Sequence, residues 1–77
     1  MISQTFFRLM EKLYELGLGL ELHFVDGYCL TYKISDPKGR MESRGRGIRT
    51  RNGITEVSLE ILLESASSTV DQMRERV

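Results

Sequence analysis

The fourteen residues from Lys38 to Arg51 read KGRMESRGRGIRTR and set six cations against one carboxylate. An arginine guanidinium is a planar fork that grips two oxygens of a phosphate or carboxylate together, and interleaved glycines let backbone amides approach the same anion. The chemistry on offer is recognition of an anion, above all a run of phosphates. Each phosphate contact releases condensed counterions, so binding of this kind weakens steeply as salt rises. Lys33, Lys38, Arg40, Arg44, Arg46, Arg49 and Arg51 are the candidate binding residues. A second reading gives the same arginines to carboxylates. Glu56, Glu60 and Glu64 recur at four-residue spacing, a like-charge ridge that repels itself unless cations of this chain or of a second copy lie near.

The remaining reactive types offer less. His23 and Cys29 fall on one face of the hairpin described below, but a cysteine–histidine pair without an orienting third group or an oxyanion site is not a nucleophilic centre. One cysteine and one histidine cannot close a four-ligand structural zinc site, and Glu21, Glu42 and His23 make no better metal set. Gly45, Gly47 and Gly53 lack the strand before and the lysine after that a phosphate-binding glycine loop requires. Tyr28 and Tyr32 would stack on bases if they faced solvent, but alternation assigns them to the core side. The expectation is a non-catalytic binding protein with no cofactor, metal or small-molecule substrate.

A chain of 77 residues holds one domain, here residues 1–77, and buries a modest core. Small domains commonly rely on disulfides, a metal or self-association; a single cysteine and a single histidine rule out an intrachain disulfide and a four-ligand zinc site, which leaves open a homodimer or a compact monomer without a staple. Val57, Ile61, Glu56, Glu60 and Glu64 are the candidates for that contact. Net charge is zero but segregated. Residues 1–32 carry −2, residues 33–51 carry +5 and residues 52–77 carry −3, a basic band between acidic ends. The first apolar stretch is broken by Arg8, Glu11, Lys12 and Glu15, which suits neither a signal core nor a transit peptide, and no run reaches membrane-spanning length. With a lone thiol, the expected compartment is the cytoplasm.

The elements that must position the band follow from periodicity. Ile2, Phe6, Leu9, Leu13 and Leu16 form one stripe of a helix over about 3–16, widened by Phe7, Met10 and Tyr14, with Ser3 as N-cap and Gly17-Leu18 as its stop. Leu20, Leu22 and Phe24, then Tyr28, Leu30, Tyr32 and Ile34, alternate with polar residues as a β-hairpin should. A three-residue loop, Val25-Asp26-Gly27, keeps the apolar faces together by pairing Phe24 with Tyr28 and Leu22 with Leu30. After a turn at 35–39, residues 40–50 read as an irregular third strand at the sheet edge, bulged near Gly45-Arg46-Gly47. From Thr55, Leu59, Leu62, Leu63, Ala66, Val70, Met73 and Val77 hold a constant phase, which favours one long helix, with Val57 and Ile61 on its far side. Ser65, Ser67, Ser68 and Thr69 leave open a break, with Ser68 and Asp71 capping a new helix.

The order gives an α+β fold: a helix, a three-stranded antiparallel sheet and a long helix, both helices on one sheet face. The open face would carry Glu21, His23, Cys29, Thr31, Lys33, Arg40, Arg44 and Arg46. The order resembles that of double-stranded RNA-binding domains in topology alone; where those domains carry a lysine cluster at the start of the last helix, this chain has the acidic stretch Ile54-Thr55-Glu56-Val57-Ser58. Two functions fit: a module contacting nucleic-acid backbone through residues 38–51, or a small protein–protein regulator or inhibitor that docks an acidic surface through the basic edge and apolar helix faces.

Overall fold

The computed structural model describes residues 2–26, 29–45 and 47–75. It contains two helices and one antiparallel sheet, in the order α1 (Ile2–Leu16), β1 (Gly19–Val25), β2 (Cys29–Ser35), β3 (Glu42–Arg44), β4 (Ile48–Arg49) and α2 (Glu56–Glu75). The α+β reading holds. The third strand of the sequence reading is two short strands, both paired antiparallel to β2, so β2 is central with β1 on one side and β3 and β4 on the other.

Helix α1 already includes Ser3, so the expected N-cap at that residue is not formed. Its end is as the sequence implies. Gly17 takes φ 66°, and the amides of Leu18 and Gly17 donate to the carbonyls of Leu13 (2.9 Å) and Tyr14 (3.2 Å). That paired closure satisfies two carbonyls the helix would otherwise leave bare. Helix α2 runs unbroken for 20 residues. At its start the Ser58 amide donates to Thr55 Oγ1 and the Thr55 amide donates back to Ser58 Oγ, both at 3.1 Å, a reciprocal cap with serine in the usual glutamate place.

The hairpin keeps the expected faces in a different register. Phe24 lies opposite Leu30, Leu22 opposite Tyr32 and Glu21 opposite Lys33, with Val25–Cys29 as the last described pair. This is two residues away from the expected Phe24–Tyr28 pairing. Alternation fixes only the parity of a hairpin, and a two-residue shift preserves it. Tyr28 and Gly27 lie outside the described residues, and so does the expected bulge glycine at 27.

The bulge of the third strand is visible in the pairing. Arg44 lies opposite Lys33 and Ile48 opposite Leu30, so three residues of the outer strand span what two span in β2. The extra residue reverses the alternation. Glu42 and Arg44 lie on the open face before it; after it Ile48 turns to the core and Arg49 to the open side. Two glycines permit this. A Cβ at Gly45 would overlap Cζ and Cε1 of the Tyr32 ring, and one at Gly47 would overlap the Cys29 sulfur.

The core joins Leu30, Tyr32 and Ile34 of β2 to Leu62, Leu63, Ala66, Val70 and Met73 of α2 and Leu9 and Leu13 of α1. Tyr32 is 2% exposed, and its hydroxyl lies 2.7 Å from Thr69 Oγ1 and 3.0 Å from Ser65 Oγ. Those two side chains, which read as helix-breaking, are the polar sockets for a buried phenol. Helix α1 packs chiefly on α2. A polar seam lines their contact: Lys12 Nζ meets Ser67 Oγ (2.7 Å) and Asp71 (3.1 Å), and Arg74 meets Glu15 (3.2 Å). The helices therefore do not cover the sheet evenly. Leu22 and Phe24, expected in the core, are 47% and 62% exposed, and Phe6, Phe7, Met10 and Tyr14 of α1 are exposed as well.

Replacing Gly45 with alanine should lower stability by about 3 kcal/mol, because the added methyl overlaps a buried ring whose hydroxyl is held by Ser65 and Thr69. Tyr32→Phe should cost about 1 kcal/mol, the net worth of a hydrogen bond whose partners are part-buried hydroxyls. Urea unfolding followed by circular dichroism measures both.

Candidate anion-binding face

The open face is built from alternate residues of β1 and β2 and from both halves of the bulged strand. Lys33 stands at its centre. Its Nζ lies 3.3 Å from Glu21 Oε2 of β1 and 3.8 Å from Glu42 Oε1 of β3. Arg44, opposite Lys33, places Nε 3.0 Å from the same Glu42 oxygen, and His23 Nε2 lies 3.9 Å from Glu21 Oε2. Two carboxylates are thus each shared by two nitrogen groups. A depression of about 440 Å³ opens here, lined by Glu21, His23, Thr31, Lys33 and Arg44 among others.

The pairing with Glu42 is partial for Arg44. Only Nε is engaged, the side chain is 73% exposed, and the two terminal nitrogens remain as a fork toward solvent. Arg49, opposite Cys29, is exposed and forms no ion pair with another described residue. Arg51 is exposed in the turn that follows, which is closed by the Gly53 amide on the Thr50 carbonyl at 2.9 Å. Arg46 lies outside the described residues.

Lys38 and Arg40 are gathered elsewhere, on the turn between β2 and β3. Asp36 organises it: its Oδ1 accepts the amides of Lys38 (2.7 Å) and Arg40 (3.2 Å), its carbonyl accepts the Gly39 amide (3.0 Å), and Arg40 Nε lies 3.9 Å from Oδ2. Partial shielding from water raises the proton affinity of the Asp36 carboxyl. The amides of Arg40, Lys38 and Gly39 and the Arg40 charge outweigh this and hold it below the ordinary aspartate range. The band therefore divides into a turn cluster (Lys38, Arg40), a central pair (Lys33, Arg44) and a far end (Arg49, Arg51).

The acidic ridge of α2 has its own setting. Glu60 accepts a hydrogen bond from Thr5 Oγ1 of α1 at 3.2 Å and so serves the helix–helix contact. Glu56 and Glu64 are exposed, as are Val57 and Ile61 on the far side of α2. His23 and Cys29 are not opposite each other; their partners are Thr31 and Val25. The Cys29 sulfur packs against Gly47. Among the described residues no three His, Cys, Asp or Glu side chains gather as a metal site, and no helix is long and apolar enough to cross a membrane.

Sequence reasoning missed Glu21 and Glu42 as the partners that hold Lys33. The signal was present: opposite charges at positions 21 and 33 select the observed register over the one two residues away.

The Asp36 turn carries a pH signature. A carboxyl more acidic in the folded state contributes stability that is fully present above its unfolded value, about pH 4, and is lost as pH falls through the folded one. Asp36→Asn should remove that dependence, so the drop in urea midpoint between pH 7 and pH 3 should be smaller in the variant than in the parent chain.

Compared with protein families, with curated proteins and with solved structures, the chain has no match in any of the three.

Proposed function

We propose that this chain is a non-catalytic binding protein whose open sheet face contacts the phosphate backbone of a nucleic acid. The observation that carries the reading is the reversal of alternation at the bulge. A regular strand would put Arg44 and Arg49 on opposite faces; with three residues against two, both share the uncovered face with Lys33. Arg44 engages only Nε with Glu42 and stays 73% exposed, and Arg49 is exposed with no ion pair among the described residues. Glu21 and Glu42 orient Lys33 and Arg44 rather than cover them, since contacts between exposed ions are weak and exchange readily for a phosphate. Backbone contacts of this kind position a protein without reading bases, so sequence preference should be slight. The free, half-buried Cys29 suits a reducing cytoplasm.

An acidic protein surface would meet the same forks, and exposed Ile54, Val57 and Ile61 would add apolar contact to such a partner. That second reading separates from the first in one assay. Fluorescence anisotropy with labelled random single- and double-stranded nucleic acid should give micromolar binding at low salt. With about four phosphate contacts, affinity should fall ~100-fold between 50 and 200 mM salt. Arg44→Ala with Arg49→Ala should reduce the slope by about two contacts while leaving the urea midpoint nearly unchanged. Absence of binding at low salt would reject the nucleic-acid reading and leave the protein partner.

A further inference from the structure

The two edges of the sheet are built on opposite plans. The edge formed by β3 and β4 is short, interrupted, bulged and lined with arginine, the devices that keep a sheet edge from pairing with another chain. The β1 edge has none of them. GLELHFV is seven residues long, pairs without interruption along β2, and contains neither lysine nor proline. Among the described residues nothing pairs with its outer side. Its apolar side chains are also uncovered, because α1 packs on α2 and leaves a groove between itself and β1. That groove, about 580 Å³, is lined by Phe6, Met10, Leu13, Tyr14, Leu20 and Leu22.

We infer that the β1 edge is a homodimer interface, where a second copy of this chain pairs antiparallel about a two-fold axis at Leu22. The strand is self-complementary about that residue. Leu20 then faces Phe24 of the second copy, Leu22 faces Leu22, and all of these lie on the apolar side. On the other side Glu21 faces His23 of the second copy, twice by symmetry, a carboxylate against an imidazole N–H donor. Centring the axis on Glu21 instead sets two carboxylates directly opposite, which is unfavourable. Centring it on His23 pairs Glu21 with Val25 and loses both polar contacts. A one-residue slip turns the two apolar grooves to opposite faces of the joint sheet and leaves both bare. The Leu22-centred register is the one that overlaps the whole strand, keeps the apolar side together and gives both polar contacts.

The area is adequate. Phe6, Met10, Tyr14, Leu22 and Phe24 are 48%, 45%, 89%, 47% and 62% exposed. At ~200 Å² for a whole aromatic side chain they offer on the order of 500 Å² per copy, which gives the ~1,000 Å² over both copies that a specific interface requires. Phe24 of the second copy, opposite Leu20, is placed to enter the groove. The inference does not rest on the anion-binding reading, although Glu21 and His23 also border that face, and it involves neither Val57 nor Ile61.

Sedimentation velocity of the full chain at about 100 µM should show a dimer; a monomer there overturns the inference. In a Cys29→Ser background, Leu22→Cys should form a disulfide-linked dimer on mild oxidation, because residues paired on the axis lie within disulfide reach. Leu20→Cys, which faces position 24, should not. Equal cross-linking of the two overturns the register. Leu22→Arg should give a folded monomer by circular dichroism, whereas Val57→Lys with Ile61→Lys should leave the dimer intact. Should Leu22→Arg fail to fold, His23→Glu, at an exposed position, sets two carboxylates opposite and should weaken the dimer roughly tenfold. A dimer insensitive to both β1 substitutions, or lost only with Val57 and Ile61, overturns the proposal.

Discussion

Tyr32 is the side chain around which this small fold is arranged. Its ring occupies the centre of the central strand, at the depth where the outer strand must pass, and its hydroxyl is fixed by Ser65 and Thr69 of the long helix. The ring leaves no space for a Cβ at position 45, while the Gly45 amide still donates to the Tyr32 carbonyl at 3.2 Å. A full-sized side chain there would push the outer strand away from the sheet. The bulge, the reversed alternation and the arrival of Arg49 on the same face as Arg44 all sit beside this one contact. The feature that sets the cations on the surface is thus inseparable from the packing of the core.

Lys33, Arg40 and Arg44 take their partners from their own neighbourhood. The segregation of basic band and acidic ends along the chain invites a picture in which the arginines neutralise the α2 glutamates. Four pairs of the band are local to the sheet and its turn: Lys33 with Glu21 and with Glu42, Arg44 with Glu42, and Arg40 with Asp36. The helices settle their own charges in the Lys12–Asp71 and Glu15–Arg74 pairs. Each pair has at least one side chain that is about half exposed or more, so their worth lies in orienting side chains more than in stability.

How much was legible follows from what each signal measures. The 3.6-residue period located both helices, and the glycine stop of α1 was readable because only one geometry closes a helix with glycine followed by an apolar residue. Alternation gave the faces of the hairpin but not its register. Two glycines around an arginine marked the bulge, since strand glycines signal a bulge or a close approach, and here they serve both. Constant phase favoured the single helix that is observed, while Ser65 and Thr69 left a break open because local propensity knows nothing of a tyrosine hydroxyl thirty-odd positions away. The exposure of Leu22, Phe24, Phe6 and Met10 was not legible, because periodicity reports which face is apolar and not whether another element arrives to cover it.

The contact between Tyr32 and Gly45 also constrains how this sequence can drift. Alanine at position 45 is excluded while an aromatic ring stands at 32, and phenylalanine does not lift the exclusion, because the overlap is with ring carbons as well as the hydroxyl. Position 45 opens only when position 32 has lost its ring, and that loss empties the centre of the core even though Thr69 stays bonded to the Ser65 carbonyl at 3.0 Å. The two sites therefore hold each other in sequence space: about 3 kcal/mol is lost if position 45 gains a methyl first and at least as much if the ring goes first, so neither drifts alone.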